Sequence, residues 1–117
     1  MVLVDTSVWI DHLRNDNARL RPLLEAAQVL VHPFVVGELA LGRLKRRREV
    51  MALLSKMPQA EVASHAEVLG FVERRGLSGN GVGYVDAHLL AASSLAGAQL
   101  WTLDLRLRRV AHTLGVA

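Results

Sequence analysis

The sequence predicts an α/β fold, a three-layer α/β/α sandwich with a central parallel sheet. Three short apolar runs have the length and composition of buried strands, namely VLV at 2–4, QVLVH at 28–32 and QLWTL at 99–103. Segments with helical patterns and capping signals separate these runs. Strands that alternate with helices are typical of a parallel sheet whose two faces are covered by helices.

The composition fits one aliphatic domain over residues 1–117. Of its residues, 51% are hydrophobic but only 4% are aromatic, which suits helices on a sheet better than an aromatic-rich β-sandwich. The absence of cysteine excludes disulfides, thiol nucleophiles and thiolate metal ligands, and we expect a cytoplasmic location. We expect no signal peptide, because Asp5 interrupts the first apolar run, and no membrane span, because the uncharged stretch before Asp104 is too short and too polar.

The first half of the chain begins with a strand at 2–4 and a helix that Thr6 or Ser7 is expected to cap. A second helix is predicted over NARLRPLLEAA (17–27), where Pro22 is acceptable only in the first turn.

After the second strand, Pro33 is well placed to start a helix, because its missing N–H is not needed there. That helix is predicted to run through FVVGELALGRLKRRR (34–48), buried at its start and solvated at its basic end. EVMALLSKM (49–57) predicts a further helix, and EVA (61–63) is either a short strand or a connector.

The second half of the chain has clearer signals. S-H-A-E (64–67) predicts a capping box, and Gly76 is expected to end the helix that it starts. LSGNGVGY (77–84) predicts a flexible loop, followed by a small-residue helix over 85–98. The last segment, LRLRRVAHTLG (105–115), predicts a short basic helix.

Four acidic residues are predicted to meet at one edge of the sheet: Asp5, Glu38, Asp86 and Asp104. Ligands of open parallel sheets bind outside the carboxyl ends of the strands, and these acids follow strands or begin helices at that edge. Carboxylates gathered without a basic partner require a cation, and all-oxygen donors favour Mg²⁺ or Mn²⁺. Such ions support phosphoryl-transfer chemistry.

Each acid also has a purely structural interpretation. Asp5 fits a turn or an N-cap, and Asp86 fits a favourable charge at a helix N-terminus. Glu38 lies among Val and Leu residues, where an unpaired carboxylate is costly unless it lies at an edge. The joint pattern therefore carries more weight than any one residue.

Other catalytic patterns are missing. The histidines lack H-E-x-x-H spacing, and His88 is expected to have a core or supporting role. The glycine-rich loop fits neither G-x-G-x-x-G nor a P-loop, and no serine has a nucleophile-elbow context. A phosphatase with a D-x-D motif would need an acid where Ser7 stands. The absence of these motifs disfavours zinc enzymes, serine hydrolases and phosphatases of the D-x-D type.

The charge is basic and clustered. There are 14 Lys and Arg residues against 11 Asp and Glu residues, a net charge of +3, and RLKRRR (43–48) concentrates five of the cations. This run has two interpretations, a solvated helix face or a contact with a nucleic-acid backbone. In the second case the expected RNA contacts are Arg43, Lys45, Arg46 and Arg47.

The ensemble of motifs resembles the PIN domain, and within it the VapC-type toxins of bacterial and archaeal toxin–antitoxin pairs. The matching segments are VDTSVWID (4–11), VGELALG (36–42), GYVDAHLLAAS (83–93) and WTLD (101–104), in order along nearly the whole chain. The resemblance implies a parallel sheet between helices and a Mg²⁺- or Mn²⁺-dependent endoribonuclease. It also implies a structured RNA substrate such as tRNA or rRNA, and a cognate antitoxin protein.

The resemblance assigns Asp5, Glu38, Asp86 and Asp104 as the catalytic and metal-binding acids. Thr6 and Ser7 match the polar residues behind the first acid, and Thr102 matches the hydroxyl of the T-x-D ending. Many relatives carry another acid or Asn shortly after the last Asp, whereas here Leu and Arg follow, so one or two metals remain possible.

Two further expectations stay open at this stage. The alternative to a nuclease is a non-catalytic PIN-like binding module that acts through an antitoxin complex, suggested by the basic run and by the missing extra acid. The family commonly forms homodimers, and the resemblance implies one here without locating the interface.

Overall fold

The computed structural model describes residues 1–117 and contains three strands and seven helices. The strands are β1 (Val2–Val4), β2 (Val29–Leu30) and β3 (Gln99–Trp101). The helices are α1 (Thr6–Asn15), α2 (Leu20–Glu25), α3 (Pro33–Leu41), α4 (Arg47–Lys56), α5 (His65–Arg75), α6 (Tyr84–Ala96) and α7 (Leu105–Thr113). None of these helices is both long enough and apolar enough to span a bilayer.

The three strands form one parallel sheet in the order β2-β1-β3. Leu3 in the central strand is aligned with Leu30 on one side and Leu100 on the other, and all three are buried. Helices α6 and α7 contact β3, while α3 packs against α1 and α4. The buried apolar residues form a single cluster. The predicted α/β/α sandwich is confirmed, and the carboxyl ends of all strands face the same edge.

One parallel bridge extends the sheet beyond β2. It lies at Gln59, two residues before the segment EVA (61–63) that the sequence offered as a possible strand. Val31 forms a parallel bridge with Gln59. The Val31 amide donates to the Pro58 carbonyl at 2.9 Å, and the Ala60 amide donates to the Val31 carbonyl at 2.7 Å. The pairing therefore lies just before EVA (61–63), which is a connector, the second of the two predicted possibilities.

The helix predicted over 34–48 is wrong in its second half, because α3 ends at Leu41. Gly42 leaves the helical conformation with φ −85° and ψ 176°. Glycine is a weak helix former, and leaving the helix here keeps the closely spaced cations out of one continuous helix. Arg46 has a left-handed φ of 53° immediately before α4. The guanidinium of Arg47 donates to the carbonyls of Ala40 and Gly42, so it satisfies the open end of α3.

The capping signals in the second half are confirmed. The Ser64 hydroxyl accepts from the Glu67 amide at 3.1 Å, and the Glu67 carboxylate accepts from the Ser64 amide at 2.9 Å. Gly76 ends α5 in the left-handed conformation, with φ 62°. Pro22 lies in the first turn of α2, as its chemistry requires, and Asn17 accepts hydrogen bonds from the amides at the start of that helix. These short-range features follow from local sequence.

Candidate active site

Asp5 directly follows β1 and is the residue before the first turn of α1. It is buried, with 7% of the residue exposed. Its Oδ2 accepts hydrogen bonds from the hydroxyls of Ser7 at 2.9 Å and Thr102 at 2.7 Å. These bonds replace water that a buried carboxylate loses, while Oδ1 has no protein donor. The prediction that Thr6 or Ser7 caps α1 is wrong, because both lie within its first turn and the Ser7 hydroxyl bonds Asp5 instead.

The backbone after β3 orients the two hydroxyls that hold Asp5. The Leu103 amide donates to Ser7 Oγ at 3.0 Å, and the Asp104 amide donates to Thr102 Oγ1 at 3.1 Å. Each hydroxyl therefore accepts one backbone bond and has its single hydrogen available for Asp5 Oδ2. The ends of β1 and β3 are thus joined through one carboxylate.

Asp104 precedes α7 and caps that helix. Its Oδ1 accepts from the amides of Arg106 at 2.9 Å and Leu107 at 3.1 Å, an arrangement that satisfies two amides of the first turn. Its Oδ2 makes no side-chain hydrogen bond within the protein, and the residue is exposed. A capping role and a role toward a ligand are compatible, because they use different oxygens.

Glu38 projects from the exposed side of α3. Its Oε1 accepts a hydrogen bond of 2.8 Å from the hydroxyl of Thr6, the first residue of α1. Glu38 lies at an exposed edge, the exception that its sequence context left open, because Val35 and Leu39 are buried in the core while Glu38 is exposed. Burial therefore imposes no cost on this carboxylate, and Thr6 holds it near the start of α1.

Asp86 lies in the first turn of α6 and is half-buried. Burial raises the pKa of its carboxyl above the usual value, and the negative charge of Asp5 raises it further. Asp104 and Glu38 also raise this pKa, whereas a backbone hydrogen bond at Gly83 lowers it. Contacts also group these acids: Asp5 and the Asp104 amide share the Thr102 hydroxyl, Asp86 and Asp104 line one cleft, and Glu38 accepts from Thr6, the residue after Asp5.

No basic side chain neutralises this group of acids by an ion pair. The ion pairs in the structure are His12 with Asp16, Arg21 with Asp16, and Arg46 with Glu49. Like-charged carboxylates around a partly buried edge favour binding of a cation. The donor set, which consists of carboxylate and hydroxyl oxygens, fits a hard divalent ion such as Mg²⁺ or Mn²⁺.

As the side chains are placed, no three acidic or histidine residues form a group that could hold one metal ion directly. An ion at this edge would therefore be held directly by one or two of the carboxylates, with water completing its octahedral shell, as is common for Mg²⁺. No closed cage of four protein ligands is present. The fit is therefore to a hydrated ion at an open edge.

A cleft of about 590 Å³ adjoins two of the acids. Asp86 and Asp104 line it together with Gly81 and the arginines Arg106 and Arg109 of α7. Sequence reasoning selected the acids but missed these arginines as part of the same cleft. The signal that could have found them is their three-residue spacing directly after Asp104, which places both on one side of α7.

The basic run RLKRRR (43–48) covers the turn between α3 and α4 and the first two residues of α4. Arg43 and Lys45 line a smaller cleft of about 280 Å³ that includes Glu38. Arg46 faces Glu49 at 3.9 Å, and Arg47 holds the end of α3. The basic residues of the run therefore have different surroundings. Arg43 and Lys45 are the two that share a cleft with a candidate site acid, Glu38.

His88 is buried among aromatic rings, which fits the expected core role. Its ring contacts those of Phe34 and Tyr84 edge-on, with centroid separations of 4.6 Å and 4.7 Å. His32, buried behind it, accepts from the Phe34 amide and thereby caps α3. Neither histidine is part of a metal-holding group.

The fold and the site together define a small α/β domain with carboxylates around the carboxyl edge of a three-stranded parallel sheet. The model of the PIN-domain family matches residues 2–113, so the chain belongs to the PIN-domain family. The chain is also similar over its full length to Ribonuclease VapC32 of Mycobacterium tuberculosis, in strains CDC 1551 / Oshkosh and ATCC 25618 / H37Rv. In each case 51% of 118 aligned positions are identical, covering 100% of this chain and 95% of the relative.

Proposed function

We propose that this protein is a divalent-metal-dependent endoribonuclease that acts as the toxin of a VapBC-type pair and cleaves structured RNA such as tRNA or rRNA. The observation that carries the proposal is the group of carboxylates at the carboxyl edge of the sheet, unpaired with any basic side chain. Membership of the PIN-domain family and full-length similarity to a protein named as a ribonuclease support it.

Asp5, Asp86 and Asp104 are the residues that would hold Mg²⁺ or Mn²⁺, one or two of them directly and the rest through water of the ion's shell. When bound, such an ion lowers the pKa of a water molecule and neutralises charge on a phosphate. Asp5 offers Oδ1 while its other oxygen is held by Ser7 and Thr102. Asp104 offers Oδ2 while its other oxygen caps α7. Each anchored carboxylate is thereby oriented before any ligand arrives.

Glu38 has a different part in this proposal. Thr6 holds one of its oxygens, and the exposed position leaves the second oxygen accessible to solvent. A carboxylate fixed in this way can accept a proton from the attacking water and orient it for displacement in line with the leaving oxygen. Glu38 is therefore assigned to positioning the water or the metal.

A cleavage assay on purified protein tests the nuclease proposal. We expect cleavage of total tRNA or rRNA with Mg²⁺ or Mn²⁺, and none with excess EDTA. Asp5→Asn should abolish cleavage, whereas Glu61→Gln, a change in the exposed connector before α5, should not. RNA cleavage that persists in excess EDTA, or in the Asp5→Asn variant, would contradict the proposed metal-dependent nuclease.

The alternative, a non-catalytic binding module, is suggested by the basic run RLKRRR (43–48) and by the missing acid after Asp104. Calorimetry separates the two functions. A nuclease of the proposed kind should bind Mn²⁺ in a titration and lose that binding in Asp5→Asn, whereas an inert module should release no heat with Mn²⁺ in either protein.

The antitoxin partner can be tested in cells. Expression of the protein alone should arrest growth, and expression together with the neighbouring small open reading frame should restore it. Mapping of RNA 5′ ends under both conditions identifies the substrate and the cleaved bond. Growth arrest by Asp5→Asn as strong as that by the parent would contradict a toxin that acts through RNA cleavage.

The basic run remains a proposed RNA contact. Arg43 and Lys45 line the same cleft as Glu38. Replacing Arg46 and Arg47 by Ala should weaken RNA binding and reduce its salt dependence. Arg47 also holds the end of α3, so replacing it changes the stability of the fold as well as the charge. The paired replacement of Arg43 and Lys45 tests the RNA contact without removing that hydrogen bond. An unchanged salt dependence in both pairs would leave the run as a solvated surface.

A homodimer and a cytoplasmic location also remain predictions. Leu41 is 91% exposed at the end of α3, and Leu95 is 68% exposed on α6, so apolar surface is available to a partner chain. Light scattering of the purified protein measures the oligomeric state. A monomer at all concentrations would contradict the predicted dimer.

A further inference from the structure

Two arginines of α7 line the same cleft as two of the site acids. Arg106 and Arg109 are three residues apart, so they lie on one side of the helix, and both are exposed. Asp86 and Asp104 contribute the acidic lining of this cleft. Its volume of about 590 Å³ falls within the range of ligand pockets, about 300 to 1,000 Å³.

The side chain of Arg106 lies against the loop that leads into α6. A Cβ atom on Gly81 would be 2.6 Å from Arg106 Cδ, 2.8 Å from its Nη1 and 3.1 Å from its Nε. Gly81 also has a φ of +75°, which L side chains rarely adopt. The missing Cβ of Gly81 therefore leaves space for the Arg106 side chain, whose guanidinium lies across the loop beside the cleft.

The position of Arg106 is unfavourable for helix stability by itself. It lies in the first turn of α7, where the helix dipole disfavours a cation, and the acid at that helix end is Asp104, whose Oδ1 is bonded to the amides of Arg106 and Leu107. Nor do Arg106 and Arg109 form ion pairs with the acids of the cleft. The guanidinium of Arg106 therefore forms no ion pair within the protein and lies at the cleft, where a ligand can reach it.

The chemistry of the cleft defines that ligand. Guanidinium groups bind phosphate through two parallel hydrogen bonds and stay charged at all physiological pH values. A phosphodiester carries one negative charge shared by two non-bridging oxygens, so one oxygen could face a cation held by the carboxylates while the other faces the arginines.

We infer that Arg106 and Arg109 form the phosphate-binding side of the cleft and position the RNA backbone against the acids at the carboxyl edge. This inference rests on the proposed ribonuclease function. Arg106, held over Gly81, binds the phosphate nearest the acids, and Arg109, one turn further along α7, binds a neighbouring phosphate. The RNA strand accordingly runs along α7.

The test compares arginines of one helix. Binding of a fluorescein-labelled RNA hairpin is measured by anisotropy in EDTA, where cleavage is suppressed, at several KCl concentrations. We expect Arg106→Met and Arg109→Met each to weaken binding roughly three- to tenfold and to lower the salt slope by about 0.7 to 1. Methionine keeps an apolar stem against Gly81, so a packing role alone would survive the change. Arg108→Met is the control, because Arg108 is exposed on α7 but outside this cleft.

The remaining outcomes separate this inference from the proposed function. With Mn²⁺ present, Arg106→Met should raise KM more than it lowers kcat, and its Mn²⁺ affinity should be no weaker than that of the parent, since a nearby positive charge has been removed. If all three variants bind RNA equally, the inference is overturned even though cleavage persists. If the parent never cleaves RNA but the two cleft variants alone lose affinity, the phosphate contact stands and the nuclease proposal fails.

Discussion

Thr102 donates its hydroxyl hydrogen to Asp5 Oδ2 at 2.7 Å across 97 positions of sequence. The same hydroxyl oxygen accepts the Asp104 amide at 3.1 Å. One side chain at the end of β3 therefore orients a buried carboxylate after β1 and the backbone of a second acid before α7. Local sequence does not indicate a contact between residues so far apart. The Thr102 hydroxyl nevertheless links two candidate site residues, Asp5 and Asp104.

Replacing Thr102 by Val removes this hydroxyl at nearly constant volume. The buried Asp5 Oδ2 loses one of its two donors and the Asp104 amide loses its acceptor, so we expect a loss of about 1 to 3 kcal/mol in the free energy of unfolding and a fall in RNA cleavage. Chemical denaturation and the cleavage assay measure the two effects. Thr102→Ser should restore both, and Thr113→Val, at an exposed position where the hydroxyl bonds only the Arg109 carbonyl, is the control. Equal effects of the two valine changes would contradict the assigned role.

Asp86 should oppose folding at neutral pH. Its pKa is raised above the usual value near 3.8, chiefly by burial and then by the charge of Asp5. The folded protein therefore holds this proton more tightly than the unfolded chain, so the carboxyl lowers stability above the raised pKa and has no such effect once pH falls below the usual value.

Asp86→Asn should accordingly raise Tm in EDTA at pH 7, and the gain should shrink as pH approaches 4. Mn²⁺ should raise the Tm of the parent more than that of the variant, because binding to the folded state stabilises it. Thermal unfolding across pH, with Glu61→Gln as a surface control, measures both effects. A variant no more stable than the parent at pH 7 would contradict the electrostatic account of this site.

His32 should make the fold sensitive to mild acid. Burial, with the neighbouring His88, lowers the pKa of His32 from 6.5 to about 4. The folded state binds fewer protons than the unfolded chain between these values, so stability falls as pH drops from about 6.5 toward 4.

His32→Asn keeps an oxygen that can cap α3 but removes the titrating ring. We expect a lower Tm at pH 7.5, where buried contacts are lost, together with a smaller fall in stability between pH 6.5 and 5. His88, whose pKa burial also lowers, retains part of the dependence. Denaturant unfolding at each pH measures the slope, and His112→Asn, on the exposed side of α7, is the control. A slope unchanged from the parent would contradict the assignment to His32.

The features that the sequence predicts correctly depend on neighbours within one turn or one strand. The capping box of Ser64, the helix start at Pro33 and the position of Asp5 after β1 are of this kind. The exposure of Glu38 depends on which helix face meets the core, and Gly42 weakens the helix without by itself fixing the end of α3 at Leu41.

The candidate site divides along the same line. The sequence could predict a group of carboxylates at the carboxyl edge of the sheet, because all parallel strands end at that edge whatever their order in the sheet. The bonds from Ser7 and Thr102 to Asp5 require the register of β1 against β3, and the contact between Arg106 and Gly81 requires the packing of a loop on α7. Those relationships arise only when distant segments are brought together.

Two glycines of one loop offer a matched test of the contact between Gly81 and Arg106. Gly79 and Gly81 have similar positive φ values, 80° and 75°. A Cβ on Gly79 would meet nothing within 4 Å, whereas a Cβ on Gly81 would meet the side chain of Arg106 at 2.6 Å. Alanine at either position therefore carries the same left-handed backbone strain, roughly 1 to 2 kcal/mol, but only Gly81→Ala displaces the guanidinium.

Both alanine variants should lose similar stability in chemical denaturation. Only Gly81→Ala should also weaken binding of the RNA hairpin, and it should do so without any change in net charge. Combining Gly81→Ala with Arg106→Met should weaken RNA binding little more than Arg106→Met alone, since both changes act on one guanidinium. Equal RNA affinities of Gly79→Ala and Gly81→Ala, or fully additive losses in the double variant, would separate the loop from Arg106 and leave the position of that arginine without a role in RNA binding.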